Sequence, residues 1–251
     1  MRWILIALMM PTLFASAEED AHHVAFLEGR YEEAATVAET TPSPDHLAFA
    51  ARSLLAEAMS DPSFSPPQEL ILMAEGKARE ALNAAPGHIE ARLQLAIALS
   101  LKIRPLSNRE GMRTGHAEEA KELVEAVLRD DPTNSYAHGF LAVWHLEVRR
   151  RGGSIGASIM GASVRKAREH YQAAIHHAPG DASIHWQYAR ALAALNAKKH
   201  ADEIDTVLSL AIACSPRNSL EGVMKSRAEL LHSKLETEGR RTVERVAAQM
   251  L

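Results

Sequence analysis

The chain has one cysteine in 251 residues, Cys214, which excludes an intramolecular disulfide framework and a four-cysteine zinc site. Aromatic residues make up only 5%, and glycine and proline number 13 and 11. A sheet would want β-branched and aromatic residues, so this balance favours Ala/Leu/Glu/Arg-rich helices. Positive charge is not in excess either. The formal net charge of −4 gives no global basic field to hold nucleic acid, and no nucleic-acid partner is expected. HExxH pairs, P-loop endings, nucleophile elbows and paired-carboxylate constellations are missing, so nothing in the sequence supports an enzyme or implies a cofactor. Hydrophobic residues at 47% and charged residues at 24% exclude wholesale disorder.

Long apolar runs are also scarce. The most apolar stretch opens the chain: Arg2, then Trp3 to Met10, then Ala15-Ser16-Ala17. A basic start, a short apolar core and a small-x-small exit are the features of a secretory signal peptide over residues 1–17. The run falls short of the roughly 20 residues that span a bilayer, although retention as an anchor is the alternative. No cysteine follows the proposed cut, so no lipid is attached there. The expected product is secreted or periplasmic, covers residues 18–251, and has no transmembrane segment after cleavage.

Four prolines punctuate the remainder: Pro86, Pro132, Pro179 and Pro216, spaced 46, 47 and 37 residues apart. Twelve, eight and five residues before them lie Ala74, Ala78 and Ala81; Ala120, Val124 and Val127; Ala167, Tyr171 and Ala174; Ile204, Leu208 and Ala211. Steps of four and three put each trio on one helical stripe. Five, nine, ten and thirteen residues after the first three prolines lie Ala91, Leu95, Ala96 and Leu99; Ala137, Leu141, Ala142 and His145; Ile184, Tyr188, Ala189 and Leu192. Each proline therefore separates two amphipathic helices, because it cannot extend the first and disfavours helix in the residue before it.

With these junctions the chain resembles the tetratricopeptide repeat (TPR) family. More narrowly, it looks like the TPR-type regulator of microtubule dynamics proteins and their bacterial relatives, because the gaps Leu99–Ala120 and His145–Ala167 are longer than usual. The resemblance implies an all-α, helical-hairpin solenoid with two lengthened intra-repeat loops. Clear repeats run from about residue 70 to 216, and capping helices cover 219–251, where Glu221, Lys225, Ser226 and Glu229 replace the buried stripe with groups suited to water. Weaker beginnings are visible at Gly29–Ala38 and Leu47–Ala58. The resemblance also implies a protein or peptide partner held in the concave groove. The inward positions, four, seven and eleven beyond each proline, are Glu90, Leu93 and Ile97; Tyr136, Gly139 and Val143; Ser183, Trp186 and Arg190. Of these, Leu93, Ile97, Tyr136, Val143, Trp186 and Arg190 are the expected partner contacts, and Trp186 is expected to face an open channel.

Two further features bear on ligands. Arg104, Arg109 and Arg113 in the first insert and Arg149, Arg150, Arg151 and Arg165 around the second suggest one basic edge for an anionic lipid, polyanion or acidic partner. Thirteen histidines, among them His138, His145, His170, His176, His177 and His185 on successive helices, leave open a metal-dependent enzyme. A solute-binding accessory of a transport system is the third reading and requires a closed apolar pocket.

Overall fold

A computed structural model describes residues 21–40 and 43–250; the expected signal peptide lies outside the described residues. Residues 21–27 form a helix (α1). It is followed by α2 (Tyr31–Glu39), α3 (Pro44–Ser60), α4 (Gln68–Ala84), α5 (Ile89–Ile103), α6 (Asn108–Thr114), α7 (His116–Asp130), α8 (Ser135–Ile159), α9 (Val164–His177), α10 (Ala182–Asn196), α11 (Ala201–Ala213), α12 (Ser219–Thr237) and α13 (Arg240–Gln249). Antiparallel pairs α3–α4, α5–α7, α8–α9 and α10–α11 stack in chain order. The fold is thus an all-helical solenoid in which α3, α5, α8, α10 and α12 form the inner layer.

The proline junctions do more than stop a helix. Two residues beyond each proline stands the N-cap of the next inner helix: His88, Asn134, Asp181 and Asn218 accept from the backbone N–H of Ala91, Ala137, Ile184 and Glu221. Each cap satisfies a donor that the first helical turn leaves free. Six residues beyond the first three prolines a side chain reaches back to the proline carbonyl. Arg92 does so at 2.8 Å, His138 at 3.0 Å and His185 at 2.9 Å. Cap and return bond fix the angle between successive repeats. All twelve stripe residues before the prolines and all twelve after them are buried, as the periodicity requires.

The two inserts differ from the expected loops because their sequences carry local helix signals. Ser107 and Glu110 form a reciprocal capping box that starts α6. In the second insert α8 runs on to Ile159 past a break at Gly153, where φ is +62° and ψ −157°, a conformation open in practice only to glycine. Gly29, at φ +83°, serves a different purpose: a Cβ there would lie 2.9 Å from Ser219 Cβ. The α1–α2 turn thus meets the start of α12, and the Ser219 hydroxyl donates to the Leu27 carbonyl at 3.1 Å.

Closure continues along α12. Arg227 donates to the carbonyls of Met59 at 2.6 Å and Asp61 at 2.9 Å, at the end of α3, with its guanidinium over the Phe64 ring at 5.0 Å. Glu221, expected to face water, is instead buried and held by Arg217 at 2.6 Å. First and last inner helices meet, and α13 folds back onto α10. The solenoid wraps around its own axis. Among the described residues no helix is long and apolar enough to cross a membrane.

Candidate ligand channel

The inner helices enclose a channel of about 450 Å³. Its walls are apolar: Leu93 and Ile97 from α5, Phe140 and Val143 from α8, Ile184 from α10 and Met224 from α12. Gly139 of α8 lines it opposite Ile184 of α10, where a Cβ would make ordinary contact with Ile184 Cγ1 at 3.6 Å. Tyr136 stands at one end with 54% of its surface exposed, its hydroxyl donating to Asp181 at 3.0 Å. Burial of that hydroxyl and the adjoining carboxylate push its pKa up to about 12. Asp181 also pairs with Arg217 at 2.6 Å, so the N-cap of α10 doubles as an anchor for the channel rim.

The other end is cationic. Glu147 receives Arg150 at 2.6 Å and Arg190 at 3.2 Å. Burial alone would raise the Glu147 pKa, but Arg190, Arg150 and Arg104 hold it below the usual carboxylate range. Arg104 itself is pulled down to about 9, by burial first and then by the neighbouring Arg190. It donates to the carbonyls of Ala248, Gln249 and Met250, while Arg190 reaches the Ala247 carbonyl at 3.3 Å. Two arginines thereby cap α13, whose free carbonyls and dipole favour cations. Arg151 treats the end of α5 in the same way, donating to Ile103 at 2.9 Å and Leu106 at 2.6 Å.

Five of the six expected partner contacts line this channel: Leu93, Ile97, Tyr136, Val143 and Arg190. Arg190 is nevertheless buried and ion-paired. Trp186 differs outright: it is fully buried in one apolar cluster with Met224 and Ala228 of α12 and Val243 and Ala247 of α13. The C-terminal helices cover the face on which the repeat register places it. Nothing in the first three repeats signals that return. The basic edge divides in the same manner. Arg104, Arg150 and Arg151 turn inward to helix ends and Glu147, and Arg165 pairs with Glu169. Arg109 and Arg113 are exposed and Arg149 is half-buried.

The histidines meet only in part. His138 and His170 share a 2.9 Å Nδ1–Nδ1 contact, and the His170 ring stacks on His145 at 5.6 Å. His145 is buried with its Nδ1 unpartnered, and burial followed by the nearby His170 draws its pKa down to about 4. His185 is engaged elsewhere, between the Tyr171 hydroxyl at 2.7 Å and the Pro179 carbonyl. Among the described residues no group of three or more His, Cys, Asp or Glu is arranged to hold a metal ion. Cys214 is buried, which raises its thiol pKa and leaves little thiolate for nucleophilic chemistry.

Architecture and channel together define a helical-repeat solenoid with an apolar inner channel. The chain has a tetratricopeptide-repeat-like fold. It superposes on the crystal structure of a thermophilic TPR protein from Thermus thermophilus with a TM-score of 0.60, at 18% identity, over 86% of this chain and 98% of that one. No protein-family model matches the sequence, and no curated protein is significantly similar to it.

Proposed function

We propose that this protein is an exported interaction scaffold that receives a segment of a protein partner in its central channel. The fold suggests a protein-interaction scaffold. The observation that carries the finer reading is the channel, where aliphatic walls from three successive repeats lie beside a half-exposed Tyr136. Aromatic anchors amid aliphatic walls suit a helical or extended peptide. Export rests on the pattern of residues 1–17. The channel volume of about 450 Å³ is also that of a small-molecule site, which favours capture of a solute for a transport system as the second reading.

A photo-crosslinking amino acid at Tyr136, with Leu72 on the outer helix α4 as control, tests the proposal in the exporting cell. A protein adduct from position 136 that is absent from position 72, and that disappears when Gly139→Phe fills the channel, is the expected result. Equal adducts from both positions, or adducts indifferent to Gly139→Phe, reject it. A small-molecule adduct at position 136 selects the solute reading.

A further inference from the structure

From the shape and charge of the tip made by α6 and the last turns of α8, we infer that this tip docks on an anionic membrane surface. Three large apolar side chains are more exposed than any others among the described residues: Ile155 at 77%, Ile159 at 76% and Met112 at 62%. All three belong to the two inserts. Ile155 and Ile159 are one helical turn apart and so share a face. Met112 and Ile159 both border the cationic end of the channel. The two inserts are tied together, with Asn108 donating to the Arg151 carbonyl at 2.7 Å. The apolar residues therefore project from one ordered unit.

The surroundings favour a lipid surface over a protein. Between the isoleucines and around them stand Gly152, Gly153, Ser154, Gly156, Ser158 and Gly161, so the exposed apolar side chains are set singly among small residues rather than in one broad patch. A protein interface is a broad patch of several hundred Å². Single apolar wedges ringed by cations are how a protein seats itself at a bilayer's polar boundary. Arg109, Arg113 and Arg149 have no side-chain partner among the described residues, and Lys166 bonds only the Gly161 carbonyl. Arg165 and Glu169 neutralise each other. The carboxylates nearby are Glu110, engaged in the capping box, and Glu118 at the channel mouth. Four cations against two carboxylates leave the tip positive on a chain whose net charge is −4. Docking this tip turns the cationic mouth of the channel toward the bilayer.

Flotation of the exported protein with vesicles of equal parts phosphatidylglycerol and phosphatidylcholine tests the inference, with pure phosphatidylcholine vesicles beside them. The protein should float with the anionic vesicles, less so as salt rises, and stay behind with the neutral ones. The double variant Ile155→Ser/Ile159→Ser should lose most of the binding with an unchanged melting temperature, since both side chains already face water. Arg109→Gln/Arg113→Gln/Arg149→Gln should weaken partition by about a hundred-fold, at roughly five-fold for each basic group beside an anionic surface. Ile159→Trp should show a blue-shifted emission on adding anionic vesicles. Equal binding to neutral vesicles, binding untouched by both sets of substitutions, or no shift from Ile159→Trp would overturn it. So would loss of protein capture by the Ile155/Ile159 variant without any vesicle binding by the parent.

Discussion

Arg227 ties α12 to the end of α3, and its removal should be costly. Its two donated bonds, at 2.6 and 2.9 Å, satisfy carbonyls at the end of α3, and the residue is 5% exposed. A hydrogen bond to a charged group contributes about 1.5–3 kcal/mol. Against this stands the cost of burying the guanidinium, seen as a pKa lowered mainly by desolvation and only partly offset by its partners. Arg227→Met retains much of the volume, removes the buried charge and leaves the Met59 carbonyl without this donor, while the Asp61 carbonyl keeps the Phe64 N–H at 3.2 Å. The net loss should be about 2–4 kcal/mol. Urea denaturation reads it as a lower midpoint at constant slope. A variant within about 0.5 kcal/mol of the parent, the range of an ordinary surface change, would refute the claim that Arg227 latches α12 to α3.

Two other substitutions probe the interior. Trp186→Ala should destabilise by about 3–5 kcal/mol, because the indole is fully buried; a thermal melt like the parent's would place it in an open channel after all. Acid should weaken the fold between α8 and α9. His145 has a folded-state pKa of about 4 against 6.5 when unfolded, so the unfolded chain binds the extra proton and stability falls as pH drops from 6.5 to 4. Burial lowers His170 in the same direction. Denaturation at stepped pH should lose about 3 kcal/mol through this window, and His145→Gln should lose visibly less.

The solenoid was legible because its signal repeats. Proline, small-residue stripe and aliphatic stripe recur in one register from Ala74 to Ala211; the stripe positions are buried and the prolines between them are exposed. The channel residues Leu93, Ile97, Tyr136 and Val143 follow from the same register. Long-range closure was not legible. Trp186 obeys the local periodicity, but α12 and α13 return across it after 38 and more residues, and no spacing rule encodes that contact. Arg104, Arg150 and Arg151 read as a surface patch for a related reason. A run of arginines reveals its charge, whereas the helix ends of α5 and α13 and the Glu147 carboxylate that absorb it are known only once packed. Glu221 shows the converse: a carboxylate on an expected polar face is drawn inward by Arg217, four residues earlier in the chain.

If the inner channel is the binding surface, calorimetric titration with the segment crosslinked at Tyr136, made as a synthetic peptide, reads it out. Gly139 faces Ile184 across the channel in ordinary helical backbone, and a Cβ there would touch Ile184 Cγ1 at 3.6 Å, so Gly139→Phe extends into the passage without backbone strain. The parent should bind the peptide. The variant should lose at least about ten-fold in affinity, some 1.4 kcal/mol, while its melting temperature stays close to the parent's. Equal affinity for the two proteins would contradict the claim and move the binding surface to the outside of the solenoid.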